Sequence, residues 1–291
     1  MNKKSILILG ASGLVGRDLI FFFSKKYNVF ALSRNKNFLA KNNDKNIKII
    51  NHDMVNPLHF TKKIDCVINC IVTHPFSKKN NLNDYIDSNI ITSKNIVSFI
   101  QKRKVKLFFN LSSMAVYGRP IESIINEKSN HSQIDLLAIC KLFIEKAFET
   151  ELSHCVNLRL PGILCNSFDS NRPWLNTIIY KIKKNIDVKI YNGEKNFNNL
   201  IDTYEIFNFI NFVIEKKIKI QGTYNLAASK PVKLISLIKV IKLYFDSDSK
   251  ILNFKTKNNS FVISSQKIKK DSNYNISSTL NILKKYLSLQ K

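Results

Sequence analysis

The chain lacks several things that would settle its class at once. None of its apolar runs reaches the length of a membrane span. Lys3 and Lys4 lead into a short strand-like run, not the extended apolar region of a signal peptide, so neither a membrane anchor nor secretion is expected. Cysteine is sparse: Cys66, Cys70, Cys140, Cys155 and Cys165 are odd in number and form no C-x-x-C pair. The five histidines show no metal-ligand spacing, which argues against a structural or catalytic metal. A reducing, cytoplasmic setting follows as the expectation. Acidic residues are also few, 21 against 46 basic ones, for a net charge of +25. That balance invites a nucleic-acid reading, but only six of the basic residues are arginine and the lysines are scattered. Heavy use of Asn, Ile and Lys matches the composition an AT-rich genome imposes. A solvated lysine surface is therefore favoured over a nucleic-acid partner. Such a surface still attracts anionic nucleotides.

Glycine is scarce as well, yet three of the seven glycines fall within the first sixteen residues. The run Ser5-Ile6-Leu7-Ile8-Leu9 reads as a buried strand, and Leu14 to Phe23 reads as a mostly apolar helix. Gly10, Gly13 and Gly16 lie between and just inside them. In such a loop Gly10 permits a tight turn, Gly13 lets backbone approach a phosphate and Gly16 lets helix and strand pack closely. The helix N-terminus then attracts a pyrophosphate. The spacing is G-x-x-G-x-x-G, and its placement between strand and helix favours a dinucleotide site over an ordinary turn.

Strand and helix patterns alternate through the first 160 residues. Strands are expected near Asn28–Leu32, Ile47–Asn51, Asp65–Val72, Lys106–Leu111 and Cys155–Leu160, with helices over Leu82–Lys102 and Ile134–Glu151. This alternation predicts an α/β fold, a doubly wound parallel (Rossmann) sheet. From Gly162 onward the character changes, with a helix over about Trp174–Lys184, a strand at Asp187–Tyr191 and helices over Glu205–Glu215 and Val232–Tyr244. The expected division is a dinucleotide-binding domain over 1–161, with returning segments near 201–245. A smaller substrate-binding region then occupies most of 162–291.

Three further segments carry a resemblance. They are Asn110-Leu111-Ser112-Ser113-Met114-Ala115-Val116-Tyr117-Gly118, the helix Ala138-Ile139-Cys140-Lys141-Leu142-Phe143-Ile144-Glu145-Lys146, and Asn157-Leu158-Arg159-Leu160-Pro161-Gly162-Ile163. With the glycine loop, His52-Asp53-Met54 and Gly222-Thr223-Tyr224-Asn225-Leu226-Ala227, their order resembles the extended short-chain dehydrogenase/reductase family. Within it, the chain looks like the nucleotide-sugar epimerases, dehydratases and 4-ketoreductases. The resemblance implies that Asp53 contacts an adenine and that Asn89 supports the active-site strand. It implies that Ser113 hydrogen-bonds the reacting substrate oxygen, and that Lys141 holds the nicotinamide ribose and lowers the pKa of a neighbouring tyrosine. Read without the family, Lys141 is a helix lysine paired with Glu145 at i+4, and Ser112 and Ser113 cap a strand end.

That tyrosine is missing: the position four before Lys141 is Leu137, which can neither give nor take a proton. General acid–base groups contribute roughly 10²–10⁴-fold, so ordinary family chemistry is expected to suffer unless Tyr117, His131 or Asp135 substitutes. The arginine that the family often uses for the substrate diphosphate is also absent, which leaves Lys195 or another lysine for that role. Cys165 stands where a glycine is common. The second strand ends Ala31-Leu32-Ser33-Arg34 with no acid to bind ribose hydroxyls, while Arg34 and Ser33 offer hydrogen bonds to a 2′-phosphate. NADP is favoured over NAD. The function expected is an NAD(P)-dependent oxidoreductase or epimerase of a nucleotide-linked sugar, with surface polysaccharide synthesis as one destination. The alternative is a catalytically impaired NAD(P)-binding relative acting as sensor, scaffold or partner subunit. A homodimer through the two long helices is expected, with Ile86, Ile90, Ile96, Val97 and Ile100 offering apolar positions on the first.

Overall fold

The computed structural model describes residues 3–35, 37–38, 44–72, 82–166, 174–257 and 260–289. Seven parallel strands form the main sheet: β1 Ser5–Leu9, β2 Asn28–Ser33, β3 Ile47–Asn51, β4 Cys66–Asn69, β5 Phe108–Ser113, β6 Cys155–Leu160 and β7 Gly222–Asn225. Their order across the sheet is β7-β6-β5-β4-β1-β2-β3. Ile6, Leu7, Ile8 and Leu9 are fully buried. Burying each such side chain is worth roughly 1.5–3 kcal/mol, so the run belongs at the centre of the sheet. Edge strand β3, by contrast, leaves Lys48, Ile49 and Asn51 exposed.

Helix α1 (Leu14–Ser24) follows β1 and packs on α5 (Thr203–Lys216), where the Phe23 and Phe207 rings lie 4.8 Å apart. Between them, α2 spans 82–103, α3 is Leu136–Glu151 and α4 is Trp174–Lys183. Helices α6 (Leu234–Tyr244), α7 (Gln266–Ser272) and α8 (Thr279–Ser288) complete the chain. Pairs of short strands link the C-terminal half, among them Val188–Tyr191 with Ile251–Phe254 and Gly162–Leu164 with Leu200–Asp202. One apolar core runs from Ile6 and Ile8 through Leu175, Ile210 and Ile238 to Leu283, so the C-terminal half shares its interior with the sheet. Among the described residues no helix is long and apolar enough to cross a membrane.

Two expectations are corrected. The helix read over Leu82–Lys102 is three segments: an α-turn Leu82–Tyr85, a π-helical turn Ile86–Ile91 and an α-helix Thr92–Arg103. Thr92 and Ser93 donate their hydroxyls to the carbonyls of Asp87 and Asn89, which absorbs the irregular ladder. Ile96 and Ile100 on this helix are buried in the chain's own core and are not free for a partner. The helix read from Val232 starts at Leu234, because Val232 and Lys233 pair as a strand with Asn196 and Phe197.

Candidate active site

The site lies at the C-terminal edge of the sheet, where strand order reverses beside β1, the usual ligand crevice of an open α/β sheet. Gly10 has φ +75°, and a Cβ there would sit 2.9 Å from the carbonyl carbon of Cys70 at the end of β4. At Gly16 a Cβ would sit 2.5 Å from the Gly10 carbonyl oxygen. Gly13 has extended backbone and is the N-cap of α1, which carries no side-chain cap and no acid in its first turn. The helix therefore presents backbone N–H groups and an uncompensated positive dipole end to this crevice. Arg17, which the sequence reading passed over, folds back to donate from Nε to the Ser12 carbonyl at 2.9 Å.

Ser33 is buried beneath the β2 loop, its Oγ accepting from the Asn35 N–H at 3.0 Å. Arg34 extends from the same loop with its side chain 77% exposed, and its Nη1 lies 3.9 Å from an Asp53 carboxylate oxygen. An ion pair that exposed is worth little, so Arg34 is available to another anion. Asp53 fixes its own turn by accepting from the Val55 N–H.

At the end of β5 two adjacent serines do different work. Ser112 points inward and donates to the Glu145 carboxylate. Ser113 starts a single turn of 3₁₀ helix, its Oγ accepting from the Ala115 N–H at 3.1 Å. Since that bond uses the oxygen as acceptor, the Ser113 proton has no partner among the described residues. Lys141 is only 2% exposed and its Nζ donates to the Leu111 carbonyl at 3.3 Å, two residues before Ser113. Burial pulls its pKa down to about 8, against the opposing pull of Glu145. Cys70 and Cys140 flank this amine, and burial pushes the Cys70 thiol up to about 12. Leu137 sits one turn before Lys141, 8% exposed, in a cluster with Cys140, Val72 and Tyr85 of α2. Asn89, in the π turn, donates to the Tyr85 carbonyl, and its buried amide oxygen has no partner among the described residues.

The pairing of Lys141 with Glu145 is corrected. Glu145 is held by Arg159, with Nη2 at 2.8 Å and Nε 3.1 Å from both carboxylate oxygens. Arg159 also donates to the Tyr117 hydroxyl at 2.8 Å, and Tyr117 donates to Asn225 at 2.8 Å. A ladder of asparagines completes the polar interior: Asn69 donates to Asn110, and Asn110 to Asn157, across β4, β5 and β6 in register. Both networks left a trace in the sequence, as lone polar residues inside otherwise apolar strands. The three substitutes for the missing tyrosine are all engaged elsewhere. Tyr117 is fully buried and its pKa is raised by that burial. His131 stacks on Tyr117 with Nδ1 2.7 Å from the Val116 carbonyl, and Asp135 caps α3 by accepting from the Ala138 N–H.

A cavity of about 140 Å³ opens on the C-terminal side, lined by Tyr191, Lys195, Phe197, Asn199 and Phe261 among others, and Trp174 meets Phe197 edge-on. A larger one, about 330 Å³, lies around Gln101, Lys104 and His154 at the opposite edge of the sheet, away from every residue above.

Three solved structures share the fold at low identity. A UDP-N-acetylglucosamine 4-epimerase from Methanobrevibacter ruminantium M1, in complex with UDP-N-acetylmuramic acid, matches with TM-score 0.81 and 19% identity over 100% of this chain and 99% of its own. The Bordetella bronchiseptica enzyme WbmG in complex with NAD matches with TM-score 0.79 and 14% identity over 99% and 94%. A UDP-glucuronic acid 4-epimerase from Bacillus cereus in complex with NAD matches with TM-score 0.77 and 16% identity over 98% and 99%. No match was found among curated proteins. The family model is decisive where pairwise identity is not: residues 6–227 match the NAD dependent epimerase/dehydratase family, and the chain belongs to it.

Proposed function

We propose that this chain is an NAD(P)-dependent enzyme acting on a nucleotide-linked sugar. The observation that carries the reading is the juxtaposition at the crevice: a glycine cradle at the uncapped end of α1 beside a buried lysine and a serine with a free proton. The cradle fits a dinucleotide, since no side chain fits at Gly10 or Gly16 and α1 offers N–H groups to a pyrophosphate. Gly13 and Arg17 border that phosphate site, Lys141 holds the nicotinamide ribose, and Asp53 and Arg34 take the adenosine end. When bound, the nicotinamide supplies the hydride acceptor or donor. Ser113 orients the reacting oxygen. We assign the nucleoside diphosphate of the substrate to the cavity beside Lys195, whose aromatic walls suit a base and whose amine suits a phosphate. Residues 162–291 then form most of the substrate-binding region, and 1–161 with the returning 201–245 form the dinucleotide domain. All five cysteines are free thiols, in keeping with a cytoplasmic location. A place in surface polysaccharide synthesis agrees with this substrate class.

The exposed guanidinium of Arg34 supports NADP over NAD. Calorimetry is expected to show tighter binding of NADPH than NADH, and Arg34→Ala to narrow that gap by ~10–100-fold, the worth of a charge-assisted two-point contact. Equal affinities in wild type would remove the NADP assignment. Failure to bind either dinucleotide would remove the enzymatic reading and the sensor reading together. Leu137 is the observation that favours the second reading, a cofactor-binding relative without turnover.

We also propose a homodimer. Its apolar seam differs from the sequence expectation: Leu136, Ile139 and Phe143 form an exposed stripe on α3, and Leu82 and Ile86 are exposed on α2. Light scattering at tens of micromolar should return twice the 33.6 kDa chain mass. A monomer mass there contradicts the dimer.

A further inference from the structure

We propose that Lys141 itself hands a proton to the substrate's carbonyl oxygen during reduction of a nucleotide-linked keto sugar. The inference rests on the functional reading above. Leu137 offers no proton, and Tyr117, His131 and Asp135 are committed to hydrogen bonds elsewhere. The Lys141 ammonium has three protons, of which only one has an acceptor among the described residues, the Leu111 carbonyl. Its nearest acid, Glu145, is held by Ser112 and Arg159. A phenolate at position 137 would have been the natural counter-ion, and a leucine there cannot serve as one.

The groups around Lys141 come from four elements. Glu145 and Cys140 share its helix, Cys70 follows β4, and the Leu111 carbonyl belongs to β5; Tyr85 of α2 packs on Leu137 and Cys140. Burial keeps both thiols protonated, so Glu145 is the one anion in this set. Desolvation wins, and the amine titrates near 8. At neutral pH the group is mostly ammonium yet ready to release its proton, which suits a general acid. In the step, an N–H bond of Lys141 would break as an O–H bond forms on the substrate's carbonyl oxygen; a bound reduced nicotinamide would supply the hydride and its two electrons to the carbonyl carbon, and the neutral amine would recover its proton from water.

The test uses the full chain with NADPH and a UDP-linked 4-ketohexose, following nicotinamide fluorescence after rapid mixing. Hydride transfer should be level below pH about 8 and fall about tenfold per pH unit above it. Lys141→Arg keeps a cation but withholds its proton; transfer at saturating NADPH should drop at least ~10²-fold. Unfolding in urea gives a readout independent of activity. Between about pH 8 and 10.5 the unfolded chain binds a proton at Lys141 that the folded chain does not, so wild-type stability should rise with pH there. Lys141→Met should abolish that rise. Intact NADPH binding with wild-type transfer rates in Lys141→Arg overturns the proton role alone. Loss of transfer in Tyr85→Phe with retention in Lys141→Arg does the same and moves the role to Tyr85. A wild type that binds no dinucleotide overturns the functional reading and this inference together.

Discussion

Leu137→Tyr should raise NADP-linked oxidation of a nucleotide sugar at neutral pH by at least ~10²-fold, the low end of a general-base contribution. Leu137 lies one turn before Lys141 on α3, so a phenol there comes within reach of the buried amine. The cation favours the phenolate, and the phenolate gives the cation the partner it lacks. The larger side chain must displace Tyr85, Cys140 and Val72, at a cost of about 1–3 kcal/mol, so folding is checked by thermal melting alongside activity. Oxidation is the direction to measure, because the wild-type ammonium already serves reduction. A folded variant that binds both ligands and gains nothing shows that the site has diverged beyond its proton donor.

The largest stability effect should come from Arg159→Met. Arg159 is 6% exposed and Glu145 3% exposed, and the bidentate contact between them is the centre of the network that ties β6 to α3 and to Tyr117. Removing the guanidinium leaves a buried carboxylate whose one remaining hydrogen-bond donor among the described residues is the Ser112 hydroxyl. Breaking such a pair costs about 3–5 kcal/mol, and the melting temperature should fall by roughly 10 °C. Replacing both partners, Arg159→Met with Glu145→Met, should regain most of the loss, because two apolar side chains carry no uncompensated charge. A single variant that melts within about 2 °C of wild type contradicts the assignment of this pair as a structural keystone.

Much of the architecture was legible because its signals are local. Continuous apolar runs at Ile6–Leu9 and Cys66–Ile68 announce central strands, and Gly10 and Gly16 sit where no side chain fits. The π turn at Ile86–Ile91 has no such signature; it is set by where Asn89 and Ser93 find partners after folding. Spacing at i,i+4 offers Glu145 to Lys141 as the alternative reading of that helix, and the tertiary contact with Arg159 overrides that local geometry. Arg17 and Tyr85 escaped for the same reason, since their relation to the site depends on how the loop and α2 fold back. The missing tyrosine was visible at once, whereas the commitment of Tyr117, His131 and Asp135 required the three-dimensional hydrogen bonds.

The most direct test is isotope transfer. Wild-type protein would be incubated at neutral pH with NADPH deuterated at its transferable position and a UDP-linked 4-ketohexose, and the product read by mass spectrometry. The account predicts a UDP-hexose carrying one deuterium on the former carbonyl carbon, formed only when protein, cofactor and keto sugar are all present. Recovery of the unreduced keto sugar with undiminished deuterated NADPH would contradict it.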